Sequence, residues 1–141
     1  MWSVLLYSSE TWNIYEHDKK KLEAFEMWCY RRMMTISWRD HITNQEVLER
    51  IEEKRSLITT ISIRRAKWLG HILRQDGLLH NIIEGAVEGT NARGRQRKEY
   101  LDDIIDELGC TDYRGLKRAA QDREGWRRRW KTLQTNQQIV T

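Results

Sequence analysis

Apolar residues recur at helical intervals of three, four and seven along most of this chain, which predicts a succession of α-helices. The first long helix is expected from about residue 19 to residue 37. Its apolar positions are Leu22, Phe25, Cys29, Met33 and Ile36. This spacing places Cys29 in the core. A second helix is expected after Thr43, because Thr43 and Glu46 have the spacing of a capping box.

The third and fourth predicted helices are the most strongly patterned. The third runs from near Ser56 to about Asp76, with Arg65 as the one charged residue on its apolar face. The fourth covers residues 97–108 and has two distinct faces. Its apolar side is Leu101, Ile104, Ile105 and Leu108, and its acidic side is Glu99, Asp102, Asp103 and Asp106. Gly109 is the expected end of this helix.

Two further helices are expected near the C-terminus, the first capped by Thr111 or Asp112 and the last by Asp122. The last carries Trp126 and Trp130, whose spacing with Leu133 favours a core position. Between the third and fourth helices, residues 84–96 hold three glycines and form the expected loop or short hairpin.

The predicted fold class is therefore all-α, a compact bundle of about five to six helices with a Gly-rich loop or hairpin near residues 84–96. A chain of 141 residues suits one domain. We expect a single helical domain over 1–134, which could divide into sub-units 1–78 and 97–134 joined by a linker at 84–96. Residues 135–141 are expected to form a frayed tail.

The composition excludes several classes of protein. Two cysteines are too few for a disulfide scaffold, and no stretch of apolar residues is long enough to span a membrane. The apolar start WSVLLY has no basic leader, so it is a poor signal peptide. These features predict an intracellular protein, nuclear or cytoplasmic, that is neither secreted nor membrane-bound.

Three strings stand in an order that amphipathicity alone does not explain. They are LYSSETW at 6–12, EAFEMWCYRRMM at 23–34 and DHITNQEVL at 40–48, and KWLGHILRQD and ARGRQRKEYLDDI follow at 67–76 and 92–104. This order resembles the region downstream of the polymerase palm in the reverse transcriptases of non-LTR retrotransposons. The resemblance covers nearly the whole chain up to Trp130. It implies the thumb-end and C-terminal helical region of such an enzyme, which would grip RNA and DNA beside a polymerase core.

The string YLDD, residues 100–103, matches the reverse-transcriptase signature whose aspartates hold catalytic magnesium. That chemistry needs a tight turn between two apolar strands and a third carboxylate. The flanking residues are helical in pattern, and the family's own post-palm region carries a similar string here. We therefore predict no catalytic residues and no enzyme activity in this chain.

Three basic clusters are the candidate nucleic-acid contacts. The first forms a stripe on the third helix: Arg64, Lys67, His71 and Arg74. The second lies in and after the Gly-rich segment: Arg93, Arg95, Arg97 and Lys98. The third flanks the last tryptophans: Arg127, Arg128, Arg129 and Lys131. Unpaired cations of this kind could follow a phosphate backbone.

Acidic and basic residues lie in separate segments of the chain, which suggests an alternative to nucleic-acid binding. Residues 114–131 contain eight Lys or Arg against two Asp or Glu, whereas residues 99–112 contain six acidic residues and no basic one. Pairing between these segments would neutralise the basic surface internally. The alternative function is then a protein-interaction or structural helical bundle, a relic open reading frame that binds no nucleic acid.

The histidines and cysteines have no metal-ligand spacing, so we predict no metal site and no cofactor. The partners that the sequence leaves open are RNA, DNA and a polymerase core in the parent protein. The sequence does not specify an oligomeric state.

Overall fold

The computed structural model describes residues 2–52, 54, 56–83 and 100–139, and these residues form helices and turns with no strand. The all-α prediction is confirmed. The α-helices of this part of the chain are α1 (Trp2–Leu5), α2 (Glu16–Met33), α3 (Asn44–Ile51), α4 (Leu57–Leu73), α5 (Leu78–Ile83), α6 (Tyr100–Glu107), α7 (Tyr113–Gln121) and α8 (Arg123–Ile139). The eight exceed the expected five to six because the short helices α1 and α5 carry too few residues for a periodic signal.

The chain divides into two compact units. Unit 1 combines residues 1–13 with residues 61–141, and unit 2 is the continuous stretch Ile14–Thr60. The boundaries differ from the division at 84–96 that the sequence suggested, and that linker lies outside the described residues. The single domain over 1–134 stays a prediction. Helix α8 continues to Ile139, whereas fraying was expected from about residue 135.

Local capping residues set several helix ends as the sequence predicted. The Thr43 hydroxyl accepts from the backbone N–H of Glu46, while the Thr43 N–H donates to the Glu46 carboxylate over 2.7 Å. Gly109 follows α6 with a φ of 64°, a left-handed conformation that favours glycine at a helix end. Of the two predicted caps for α7, Asp112 is the one used, and it accepts from the N–H of Gly115.

The buried face of α2 in unit 2 differs from the predicted one. Cys29 is fully buried as expected, and this burial raises the pKa of its thiol. Phe25 and Met33 were predicted on the same face but are 38% and 65% exposed. The residues that α2 buries are Glu26, Met27, Cys29 and Tyr30. The predicted face is therefore wrong by a rotation about the helix axis.

A carboxylate explains this rotation. Oε1 of Glu26 accepts hydrogen bonds from the backbone N–H groups of Ser56 and Leu57 at 3.0 and 3.1 Å, and from the hydroxyl of Tyr30 at 3.2 Å. The first N–H groups of a helix have no partner within the helix, and the helix dipole favours a negative charge beside them. Glu26 is thus buried because it caps the start of α4.

The core of unit 1 gathers residues from α4, α6, α7 and α8. Its buried members are Ala66, Leu69, Leu73, Ile104, Leu108, Leu116, Ala120 and Trp126. Trp130 and Leu133 pack against this cluster while remaining partly exposed. The core position predicted for Trp126 is confirmed, whereas Trp130 lies at the edge of the core and is partly exposed.

Arg65, the charged residue on the apolar face of α4, is only 1% exposed. Its guanidinium lies 4.9 Å from the centre of the Tyr100 ring and donates from Nη2 to the Tyr100 carbonyl oxygen. A guanidinium over an aromatic face is attracted by the ring quadrupole. Burial of the tyrosine raises the pKa of the Tyr100 hydroxyl, which donates to the Glu10 carbonyl oxygen.

Across the described residues, none of the helices combines the length and the apolar character needed to cross a membrane.

Candidate nucleic-acid interface

The residues of the predicted stripe on α4 differ in their surroundings: some bond within unit 1, and others are exposed. Nη1 of Arg64 donates to the Leu6 carbonyl oxygen at 3.0 Å and lies 3.4 Å from the Glu10 carboxylate. These bonds hold the N-terminal segment of unit 1 and take Arg64 out of the set of free cations. His71 is exposed, on the same helix as the remaining two stripe residues.

Lys67 and Arg74 of the stripe are held in place by contacts within unit 1. Nζ of Lys67 lies 4.4 Å from the centre of the Trp130 ring. Nη1 of Arg74 donates to the carbonyl oxygen of Ala120 at 2.9 Å. Burial lowers the pKa of the Arg74 guanidinium, and the neighbouring positive charge of Arg123 lowers it further. The fold therefore keeps the cations Arg74 and Arg123 close together.

The third predicted cluster, on α8, also divides. Arg127, Arg128, Arg129 and Lys131 are all exposed, but Arg129 also bonds within unit 1. Nη1 of Arg129 donates to the Leu108 carbonyl oxygen at 2.9 Å, just beyond the end of α6. A cation at a helix C-terminus is favoured by the helix dipole, so Arg129 has a structural role.

Residues of the two clusters meet in one open groove, which we call the basic groove. Its volume is about 380 Å³, and its described lining is Lys67, Arg74, Arg123, Trp126, Arg127, Trp130 and Lys131. Five of these seven side chains are cationic and none is acidic. The structure thus brings together two predicted clusters, Lys67 and Arg74 from one helix and Arg127 and Lys131 from another.

The packing of α8 against α4 positions the groove. The indole Nε1 of Trp126 donates to the Ala66 carbonyl oxygen at 2.9 Å. Gly70 lies one turn further along α4, where a side chain would overlap the Trp126 ring. At the start of α8, Oδ1 of Asp122 accepts from the N–H groups of Glu124 and Gly125. This capping fixes the first turn of α8, from which Arg123 projects.

Arg123 is a groove residue that the three predicted clusters omitted. It stands four residues before Arg127, so helical spacing places both on one face of α8. That spacing could have identified it from the sequence. A second basic hollow of about 540 Å³ lies along α7 and includes Arg114, Lys117 and Arg118.

The basic groove has the charge and the open shape that favour an extended polyanion. Several cations facing one open channel, with two kept close together by the fold, create a positive potential that an oxyanion relieves. The Trp130 ring packs against the core of unit 1 and lies beside the Lys67 ammonium group, so it offers less surface for stacking. The geometry therefore suits phosphate groups better than bases.

The second predicted cluster, Arg93, Arg95, Arg97 and Lys98, lies outside the described residues. Residues 100–103, the YLDD string, form the first turn of α6. Asp103 is buried there, while Asp102 is exposed. A helix does not supply the tight turn between strands that the polymerase signature requires.

Metal-ligating side chains were sought in the described ranges 2–52, 54, 56–83 and 100–139. No group of three or more His, Cys, Asp or Glu side chains there is arranged to hold a metal ion. His80 is buried, with Nδ1 at 3.4 Å from the Ile72 carbonyl oxygen and Nε2 at 3.5 Å from the Lys117 ammonium. Both ring nitrogens of His80 thus lie beside polar groups of unit 1.

Comparisons with protein-family models, with curated proteins and with solved structures found no significant match for this chain.

Proposed function

We propose that this chain is a non-catalytic helical module that binds the phosphate backbone of RNA or DNA in the basic groove. The observation that carries the proposal is the groove itself, where five cationic side chains from α4 and α8 face one channel with no acidic neighbour in its described lining. Binding of this kind is driven by release of counterions from the nucleic acid. It is therefore salt-dependent and largely independent of base sequence.

Two features support the groove over the other basic surfaces. Lys67 and Arg74 are held by Trp130 and by the Ala120 carbonyl, so less side-chain entropy is lost when a ligand binds. The ion pairs found among described residues include Arg64–Glu10, Lys19–Glu16 and His17–Asp18, and none of these three includes α8. These pairs therefore leave the five cations of the groove available to a ligand.

The resemblance to the post-palm region of non-LTR retrotransposon reverse transcriptases supports the same function. In such a parent, a helical module beside the polymerase core would hold template RNA or target DNA. The helical setting of YLDD supports the further proposal that this chain does not polymerise DNA itself.

The proposal is tested by fluorescence anisotropy of labelled duplex DNA and structured RNA over a salt series. The test variant combines Arg127→Ala with Lys131→Ala, both exposed residues of the groove. We expect weaker binding and a salt slope that is smaller by about one for each phosphate that the variant no longer neutralises. An Arg93→Ala, Arg95→Ala, Arg97→Ala variant measures the second cluster in the same assay.

The matched control combines Arg39→Ala with Arg50→Ala, which removes the same charge from exposed positions of unit 2. We expect a much smaller change in both affinity and slope. Equal reductions in affinity for the two double variants would show that only net charge matters. An absence of binding at low salt would exclude the proposed function.

A second candidate function is a protein-interaction or structural bundle. It is favoured by the internal use of Arg64, Arg74 and Arg129, each of which donates to a backbone carbonyl of unit 1. On this alternative the basic side chains stabilise helix ends and segments. Its distinguishing result is an absence of nucleic-acid binding by the unsubstituted chain at low salt, together with a loss of stability when Arg129 is replaced by alanine.

A further inference from the structure

Helix α2 of unit 2 presents two large aromatic side chains to solvent. The rings of Phe25 and Trp28 are stacked, with centres 5.9 Å apart and planes inclined by 22°. Trp28 is 58% exposed and Phe25 is 38% exposed. Large aromatic surfaces are normally buried, so a stacked and exposed pair indicates a contact surface.

Neither ring is among the buried residues of α2. The opposite face of α2 packs inward through Met27, Cys29 and Tyr30, and Glu26 caps α4 from the same side. Trp28 is the more exposed of the two rings, so we expect Trp28→Ala to leave the buried side of α2 in place.

Cations lie at both ends of the aromatic pair on the same face. Lys21 stands four residues before Phe25, and Arg32 stands four residues after Trp28, and both are exposed. Residues spaced by three, four and seven share one face of a helix. We call the set Lys21, Phe25, Trp28 and Arg32 the aromatic stripe; it extends about 16 Å along α2 at a rise of about 1.5 Å per residue.

The alternation of cation, ring, ring and cation matches the chemistry of one ligand class. Single-stranded nucleic acid offers unpaired bases with accessible faces and phosphates on either side of them. A duplex hides its base faces in the helical stack, so it can use only the two cations. An uncharged protein surface would leave the cations without a partner, and a lipid surface would favour aliphatic side chains together with the rings.

We propose that the aromatic stripe is a binding site for single-stranded RNA or DNA, with bases stacked on Trp28 and Phe25 and phosphates bound by Lys21 and Arg32. This site belongs to unit 2, so it is additional to the basic groove of unit 1. The aromatic stripe binds unpaired bases, whereas the basic groove binds phosphates.

The test compares two labelled oligonucleotides of about twelve nucleotides, an oligothymidylate and an abasic strand with the same number of phosphates. Anisotropy is measured with the full chain and with Trp28→Ala. Stacking on one exposed ring predicts an affinity for the oligothymidylate that is about five- to tenfold lower in the variant. The affinity for the abasic strand is expected to stay the same, and Trp28→Tyr is expected to restore most of the affinity.

The matched control is Tyr7→Ala, which removes a ring that is 81% exposed in unit 1. Circular dichroism and thermal unfolding of each variant should match the parent chain because these side chains are exposed. The proposal is overturned if Trp28→Ala and the unsubstituted chain bind the oligothymidylate with equal affinity. A dimer seen by light scattering that Trp28→Ala dissociates also overturns it, since a second copy would then cover the stripe.

Failure of this proposal is distinguishable from failure of the groove. The Arg127→Ala and Lys131→Ala variant changes the salt dependence of duplex binding, whereas Trp28→Ala changes the preference for a strand with bases over one without. Either effect can be absent while the other is retained.

Discussion

The indole nitrogen of Trp126 donates to the carbonyl oxygen of Ala66, one turn before Gly70 on the same helix. The flat side of α4 at Gly70 is what allows the ring to approach so closely. A Cβ atom added at Gly70 would lie 2.7 Å from Cε2 of Trp126, which is shorter than real Cβ contacts. The position of the basic groove thus depends on the absence of a side chain at Gly70.

Gly70→Ala is therefore expected to destabilise the protein. Alanine gains up to about 1 kcal/mol in intrinsic helix propensity over glycine, but overpacking a filled core costs about 1–3 kcal/mol. We expect the cost of the overlap to exceed the gain in helix propensity, so the midpoint of urea unfolding should fall. The matched control is Gly77→Ala, because an added Cβ there meets no atom within 4 Å. A Gly70→Ala variant as stable as the parent would show that α8 can shift without cost.

Replacing Glu26 is expected to be among the most costly changes in unit 2. Glu26→Ala leaves two backbone N–H groups at the start of α4 and the hydroxyl of Tyr30 without this acceptor. Leaving buried donors unsatisfied and removing a charge from a helix N-terminus should lower the free energy of unfolding by about 2–4 kcal/mol.

The graded control for Glu26 is Tyr30→Phe, which removes only one of the three hydrogen bonds. We expect the free energy of unfolding to fall by about 1 kcal/mol in chemical denaturation. If the two variants destabilised the chain equally, the backbone bonds at Ser56 and Leu57 would contribute nothing.

Glu46 should make the stability of α3 depend on pH in the acid range. Hydrogen bonds from the backbone and hydroxyl of Thr43 lower the pKa of the Glu46 carboxyl below its ordinary value of 4.5. A depressed pKa in the folded state stabilises the protein above pH 4.5, and this contribution disappears as the pH falls through the lower folded value. Glu46→Gln keeps a capping-box partner but cannot titrate.

The corresponding measurement is the thermal midpoint of the parent and of Glu46→Gln at pH values from about 3 to 6. We expect the parent to lose more stability than the variant over the lower part of this range. Glu49→Gln removes a carboxylate from the same helix and serves as the control. A parent and a Glu46→Gln variant with parallel pH profiles would contradict the assignment.

Arg128 and Arg129 are adjacent residues with different expected effects. Arg129→Ala removes the bond to the Leu108 carbonyl and should cost about 1 kcal/mol of stability. Arg128 is exposed, and its replacement by Ala should change stability by less than about 0.5 kcal/mol. Chemical denaturation of both variants measures the difference, and an equal effect would remove the structural role of Arg129.

Periodicity predicted the long helices α2, α4 and α8 because their apolar spacing is regular, and capping residues located the ends at Thr43, Gly109 and Asp112. The buried face of α2 was predicted incorrectly because hydrophobic spacing assigns a glutamate to solvent. Glu26 is buried because it accepts hydrogen bonds from Ser56 and Leu57, about thirty residues further along the chain. Hydrogen bonds between segments so distant in sequence leave no periodic signal.

The residues of the candidate site could be predicted from the sequence, but the groove that they form together could not. The clusters containing Lys67 and Arg127 were identified from their charge, whereas their meeting in one groove depends on how α8 packs on α4. Nothing in the residue pattern indicated that Arg64 and Arg129 would bind backbone carbonyls. Net charge counts cations without distinguishing those that face solvent from those that serve helix ends.

The division of the chain constrains the order in which its parts can form during synthesis. Unit 2 is one continuous stretch, so every residue it needs has left the ribosome soon after Thr60 has been added. Unit 1 also requires its first thirteen residues, whose partners include Arg64 and Tyr100. The segment around Leu6 and Glu10 is made before these partners, the last of which emerges with residue 100. Incomplete chains expose apolar surface, so we expect any chaperone that binds this segment to do so in that interval.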